Sequence, residues 1–442
     1  MTLATPVKNY REITPEGKYV LNLHEGQTRA WLSDARFIAI CAGTQGGKTC
    51  FEPDWLRREI KRCGDGDYIV VTATFPLLNL KLLPEFCYVF ESAFKLGEYL
   101  DSKRTLQFHH VPGGTNGTVK VIDPTRIIFG SATHPESIES ATAKAAVLDE
   151  AGQKQFRLES WEAVRRRLSL SQGRALFGTT LYNAGWFIQE IYTPAEQKQK
   201  GFELVQFDSI SNPVFPREEY YEMERTMPRW KFAMFYRGRF MRPAGLVYDG
   251  FDARACVIDP FEIPKHWLIY VGHDFGKSNP AAVFYAQDPD TGLFFLFHEY
   301  LPGPGYSTAH HVEEFKKITA GYNVIKRMGG NLTDDDGWRN DFTNHGWPIT
   351  GPNEDMKSVK KQIDIVNGFH ILNKIMVFRS NKYYLDEKGS FSHVLDEKYQ
   401  PTEELEDEKK YHLMASERVL MSSFRPDTAK KKGPPKSNHA LS

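Results

Sequence analysis

Residues 37–42, FIAICA, are six consecutive apolar positions, and the pattern changes at residue 48 to one that suits a helix over 48–61. A short unbroken apolar run bounded by turn residues predicts a strand buried on both faces. Similar runs occur at 67–74 (DYIVVTAT), 126–132 (RIIFGSA), 145–152 (AAVLDEAG) and 174–180 (RALFGTT), with helical patterns between several of them. Strands alternating with helices predict an α/β domain built on a mostly parallel sheet. The alternation fades near residue 180. Residues 186–240 carry helix signals and many aromatics, which predicts a helical lid subdomain on an N-terminal domain spanning 1–240.

Prolines and glycines crowd residues 241–262, so this stretch reads as a linker. A second domain, 263–424, opens with apolar runs at 268–276, 281–288 and 293–301. The intervening GKSNP and PDTG are short enough for hairpins, so this sheet should begin antiparallel. Helix signals follow at 308–319, 337–345 and 356–368, and the proline- and lysine-rich tail 425–442 has little to bury, which predicts disorder. No internal repeat is evident.

Composition narrows the class. A chain of 442 residues exceeds one ordinary core, which agrees with two domains. Lys plus Arg equals Asp plus Glu at 56 each, so any surface for a polyanion must be local. Five cysteines (41, 50, 63, 87 and 256) show no metal spacing and suit reduced thiols. The N-terminus lacks a secretory core and no apolar run is long enough to span a bilayer, so the expectation is a soluble protein that stays inside the cell.

The turn after FIAICA carries the chemistry. Ala42-Gly43-Thr44-Gln45-Gly46-Gly47-Lys48-Thr49 fits a relaxed phosphate loop, with alanine where the first glycine usually stands. Glycines let successive backbone N–H groups face phosphate oxygens while the next helix presents its positive end. Lys48 would reach the β and γ phosphates, and Thr49 would ligate Mg²⁺. About one hundred residues on, an apolar strand delivers Asp149, for the magnesium shell, and Glu150, to polarise an attacking water; two adjacent acids point to hydrolysis. Gln27 is placed where an amide could read an adenine edge, and Thr179 and Thr180 end a strand where hydroxyls could sense the γ phosphate.

A second set of acids lies downstream. Asp274 ends the apolar strand WLIYVGHD, and Asp334, Asp335 and Asp336 begin a helix, where one of them could serve only as its cap. Carboxylates gathered from separate elements are what a two-metal phosphodiesterase using Mg²⁺ or Mn²⁺ requires.

In order, GTQGGKT, VLDEAG, LFGTT, FYRGRF, GLVYDGFD, YVGHDFG, HGWPI and KYHLMASER resemble the large terminase subunits of tailed bacteriophages, over roughly residues 15–424. The resemblance implies a helicase-like phosphate-loop ATPase followed by a ribonuclease H-like nuclease. It implies a motor that forms a ring on the portal, drives double-stranded DNA into a procapsid, and cuts concatemers. Its partners would be the portal protein and a small terminase subunit. The chain would be monomeric in solution, work in the host cytoplasm and stay out of the mature virion. The implied roles are phosphates and metal for Lys48 and Thr49, metal for Asp149, water for Glu150, adenine for Gln27, and coupling of hydrolysis to movement for Thr179 or Thr180. Asp274 matches the first nuclease acid and Asp335 the second, with Asp334 and Asp336 as alternatives. Ala415 stands where many relatives carry a third acid, so Asp407, Glu408, His412 or Glu417 takes that place or none does.

DNA contacts should come from basic patches: Arg165, Arg166 and Arg167, then Lys357, Lys360 and Lys361, and tail lysines 430–432 and 436. One arginine of 165–167 could instead act on a neighbouring subunit's ATP. Two other readings stay open, a helicase or repair ATPase whose second domain only binds, and a ring component whose nuclease has decayed.

Overall fold

The computed structural model describes residues 9–110, 121–138, 142–182, 185–241, 244–276, 280–330, 335–397 and 400–426. The chain divides into two units, Met1–Ala244 and Gly245–Ser442. Among the described residues, no helix is long and apolar enough to cross a membrane, and all five cysteines are free thiols.

The first unit is built on eight strands. In chain order its main elements are helix α1 (Glu25–Leu32), β1 (Phe37–Ala42), α2 (Lys48–Cys63), β2 (Asp67–Thr72), β3 (Gly97–Leu100), β4 (Thr105–His110), β5 (Val121–Ser131), β6 (Ala143–Asp149), α3 (Leu158–Arg167), β7 (Arg174–Thr179), β8 (Phe202–Phe207), α4 (Arg217–Thr226) and α5 (Arg229–Tyr236). The sheet order is β8-β1-β7-β6-β2-β5-β4-β3. The first six strands run parallel, and β4 and β3 add an antiparallel edge. Every residue of β1 and β7 is buried, as the unbroken apolar runs require. Register then sets the site: Ala42 pairs with Phe207, Cys41 with Thr179, and Asp149 with Gly178. The carboxyl ends of β8, β1, β7 and β6 therefore finish at one level, where open α/β sheets place their ligands.

Two expectations need correction here. Residues 202–207 lie within the stretch read as a helical lid, yet they form β8 on the edge of the main sheet. Residues 241–262 do not form a free linker, because Val247, Tyr248, Phe251 and Cys256 are buried in the core of the second unit.

In the second unit, β9 (Val257–Ile258), β10 (Leu268–Asp274), β11 (Ala281–Gln287), β12 (Phe294–Tyr300), α6 (Thr308–Ile318), β13 (Asn323–Gly329), α7 (Asp336–Asn344), α8 (Val359–Ile371), β14 (Ile375–Phe378), α9 (Lys382–Ser390) and α10 (His412–Met421) form a six-stranded sheet with helices. Its order is β9-β14-β12-β11-β10-β13. Strands β10, β11 and β12 form the antiparallel meander expected from their short connections, and β13 pairs parallel to β10. That run of four, in order third-second-first-fourth, is the ribonuclease H-like arrangement. Side chains alternate across β10: Ile269 and Val271 enter one core cluster, Tyr270 the other. Helix α10 crosses the second face so closely that a Cβ on Gly272 would lie 2.3 Å from the Ser416 carbonyl oxygen.

Candidate functional site

The phosphate loop joins the end of β1 to α2. Gly47 caps α2 in the left-handed region, φ 90°, and offers the helix no side-chain bond. The first-turn N–H groups are thereby left to an anion. Gln45 is also left-handed, φ 55°. The loop is braced from outside: Ser209 Oγ donates to Thr44 O (2.7 Å) and Asn212 Nδ2 to Gln45 O (2.8 Å). The amides of Gly43 and Thr44 donate to Phe207 O and Phe235 O. These two N–H groups, expected to face phosphate, are thus committed within the chain.

Lys48 is buried, and its ammonium lies 3.1 Å from each of Ala42 O, Gly43 O and Thr180 Oγ1. Thr180 N in turn reaches Glu150 Oε2 at 3.4 Å. Thr180 thus connects the lysine that opens α2 to the acid that follows β6. Thr179 serves the frame: its Oγ1 donates to Thr180 O and accepts from Gly152 N. Glu150 turns off its strand in the left-handed region, φ 54°, and Thr49 is half-buried at the start of α2. Burial, with the neighbouring charge of Glu150, pushes the Asp149 carboxyl up to about 7. Its Oδ1 is buried, and the side chain facing it is another acid, Glu52. A buried oxygen of this kind suits a hard divalent cation. Asp149 and Thr49 are the residues that would hold Mg²⁺ here.

Gln27 does not present its amide to a ligand. It is buried, accepts from His24 N at 3.2 Å, and donates to Gly47 O at 2.8 Å, so it ties the start of α1 to the loop. His24 Nε2 adds a contact to Gly46 O at 3.1 Å. Sequence reasoning missed His24, Ser209, Asn212 and Glu52. Only Glu52 carried a local signal, being an acid one helical turn after Lys48 and so on the same face.

In the second unit Asp274 ends β10, and its Oδ2 lies 2.7 Å from His412 Nδ1. Asp335 occupies the N-cap position of α7. A Cβ on Gly330 would stand 2.7 Å from Asp335 Oδ2, and Gly330 N contacts His273 O. Asp335 therefore sits beside the end of the strand that carries Asp274. The other candidates point elsewhere. Asp336 pairs with Arg339 and Asp407 with Lys410, each at 2.7 Å. Glu408 pairs with Arg418 at 2.7 Å, and Glu417 is buried against Tyr285, Tyr384 and Lys388. Asp334 lies outside the described residues. Of the four side chains weighed for the third position, His412 is the one against Asp274. Two carboxylates and an imidazole suit a divalent ion. Among the described residues, however, no three His, Cys, Asp or Glu side chains gather closely enough to form a metal cage.

The basic candidates are partly engaged. Arg165 lies 3.7 Å from Glu190; Arg166 is exposed and Arg167 half-buried. All three end α3, where cations suit the helix dipole. Lys357 pairs with Glu354 at 3.7 Å and Lys360 with Glu403 at 2.6 Å, while Lys361 is exposed on α8. The tail lysines 430–432 and 436 lie outside the described residues.

No family model matches the chain. It is similar to the large terminase subunits of Thermus virus P23-45 and Thermus phage G20c, each 28% identical over 186 residues. The match covers 37% of this chain and 38% of each relative, well under half of either. Among solved structures, the large terminase of bacteriophage HK97 aligns over 95% of this chain and 98% of its own, at 12% identity and a TM-score of 0.46.

Proposed function

We propose that this chain is the large subunit of a phage terminase, an ATP-driven motor for double-stranded DNA whose second unit cuts that DNA. The observation that carries the reading is the line Lys48–Thr180–Glu150 drawn across the carboxyl ends of adjacent parallel strands, with Asp149 beside it. Lys48 now rests on neutral oxygens of its own loop. A triphosphate offers it charged ones, and the amides at the start of α2 add a positive pole. Glu150 orients the attacking water, and Thr180, bonded to both lysine and acid, passes a change at the phosphate to β7. Mg²⁺ bound with ATP supplies positive charge for the developing phosphate oxyanion.

In the second unit, Asp274 and Asp335 hold the divalent ions, Mg²⁺ or Mn²⁺, for phosphodiester cleavage, and His412 fixes the Asp274 carboxylate. The duplex backbone is held by charge alone, from Arg165, Arg166 and Lys361 among others, so sequence preference is not required. The portal protein, the small terminase subunit and further copies of this chain in a ring are the partners of the reading, with the host cytoplasm as its place. A different reading, a second unit that grips DNA without cutting it, is favoured by the commitment of Asp407, Glu408 and Glu417 to Lys410, Arg418 and Lys388.

Steady-state ATP turnover and plasmid cutting with Mn²⁺ separate these cases. Lys48→Ala should abolish turnover and leave cutting, whereas Asp274→Asn should abolish cutting and leave turnover. A wild-type chain that turns over no ATP with portal, procapsid and DNA present contradicts the motor. An uncut plasmid beside an active ATPase selects the gripping domain.

A further inference from the structure

Three acids of α2 are fully buried: Glu52, Asp54 and Glu59. Two of them meet an arginine. Asp54 receives Arg11 Nε and Tyr19 OH, each at 2.9 Å, and Glu59 receives Arg174 Nη1 at 2.7 Å. Glu52 has no donor of that kind among the described residues: both of its oxygens are buried, and the side chain they meet is another acid, Asp149.

Its position explains why that matters. Glu52 lies one turn after Lys48, and its carboxyl extends beneath the end of β7 toward Asp149. The two acids meet across Gly178, where a Cβ would stand 2.0 Å from Glu52 Oε1 and 3.7 Å from Asp149 Oδ1. Any larger residue at 178 would push Glu52 away, so the glycine admits it. Asp149 Oδ1 likewise has no donor other than that carboxyl. The positive charge acting on both acids is Lys48, whose hydrogen bonds go to Ala42, Gly43 and Thr180. Burying carboxyl oxygens without donors is costly, and structures retain such groups where a cation or ligand satisfies them.

We propose that Glu52 is a positioning residue for the divalent cation that accompanies the nucleotide: its carboxyl, held against Asp149 beside Gly178, fixes that ligand from behind. This rests on the nucleotide reading above. Groups that orient a metal ligand typically carry a tenfold to hundredfold share of metal affinity (about 10–100-fold).

The test is Mn²⁺ titration of the full chain in the presence of ATPγS, followed by electron paramagnetic resonance, for wild type, Glu52→Gln and Glu52→Asp. Glu52→Gln keeps the volume but replaces the carboxyl with an amide; it should bind Mn²⁺ about tenfold more weakly. Glu52→Asp retains a carboxylate and should fall between Gln and wild type. Thermal unfolding without metal should not fall much for Glu52→Gln, because the volume is kept and a buried carboxyl gives way to a neutral amide. Mn²⁺ affinity within about twofold of wild type in both variants overturns the proposal. So does weakened binding that tracks a lowered melting temperature and is not rescued by Asp. A wild-type chain that binds no Mn²⁺ with ATPγS overturns the nucleotide reading itself, a distinct result.

Discussion

His412 Nδ1 and Asp274 Oδ2 are 2.7 Å apart, although 138 residues separate them in the chain. The contact follows from one close crossing. Gly272 lets α10 approach β10 at Ser416; Asp274 is two residues along the same strand face, and His412 is one helical turn back along the same helix face. Both side chains remain about a quarter exposed, 26% and 23%, so solvent and substrate can reach them.

The pair predicts an asymmetry in DNA cutting. Asp274→Asn removes a carboxylate that would ligate metal and should abolish Mn²⁺-dependent plasmid cleavage. His412→Ala leaves that carboxylate in place without its partner, so cleavage should fall by about 10–100-fold and recover partly at high Mn²⁺. The readout is initial rate against metal concentration. Equal rates in His412→Ala and wild type would make the imidazole a bystander.

Thr180 bonds to both Lys48 and Glu150, whereas the Thr179 hydroxyl bonds only to backbone, Thr180 O and Gly152 N. Thr180→Val keeps the β-branched shape and the backbone N–H but removes the hydroxyl that meets the ammonium. We expect ATP turnover to lose about 10²-fold in kcat, the scale for removing one preorganised hydrogen-bonding group, with KM little changed. A rise in KM at constant kcat would instead assign the hydroxyl to nucleotide binding alone.

How much of this could be read from the sequence depended on where burial came from. Strands β1 and β7 are buried on both faces and announced themselves as unbroken apolar runs. β8, FELVQF, is only partly buried and mixes acid and amide with its apolar residues, so its membership of the sheet is decided by pairing with β1. The polar pair β3 and β4 hid for a similar reason. Residues 247–251 looked like linker because glycine, proline and aspartate surround them, yet Val247, Tyr248 and Phe251 fill a core that only folding creates. In the first site, Lys48, Asp149, Glu150 and Thr180 were legible because strand ends and one glycine-rich turn place them locally. The commitment of Gln27 to Gly47 and the exposure of Glu52 to Asp149 were not, since each depends on contacts between distant segments. His412 stood among several alternatives until the crossing at Gly272 selected it.

Helix α10 is anchored by a buried ion pair. Glu417 meets Lys388 and accepts from Tyr285 OH (2.9 Å) and Tyr384 OH, with all of these side chains buried. Glu417→Ala leaves the ammonium buried without its carboxylate and should destabilise the second unit by about 3–5 kcal/mol. Replacing both partners, Glu417→Leu with Lys388→Met, should recover most of that loss. Urea unfolding followed by hydrogen exchange in α10 checks both. A double variant as unstable as the single one would show that the hydroxyl network around Glu417, and not the charge pair, holds the helix.

His273 gives the second unit a dependence on pH. The ring is buried, and its Nε2 accepts a hydrogen bond from Trp347 Nε1 at 3.1 Å, which requires that nitrogen to be unprotonated. Burial, aided by the charge of Arg327, pushes the imidazole down to about 3 from its ordinary 6.5. Between those values the unfolded chain binds a proton that the folded chain refuses, so stability rises with pH. The contribution is therefore complete above the unfolded value and is lost as pH falls toward the folded one. Unfolding free energy in urea should drop on going from pH 7 to pH 4 by about 3 kcal/mol more in wild type than in His273→Gln, which accepts the Trp347 bond without titrating. Carboxylates titrate over the same range in both proteins and cancel in the difference. Parallel curves would mean that the folded ring takes up its proton as readily as the unfolded one, and that the bond from Trp347 is not kept in solution.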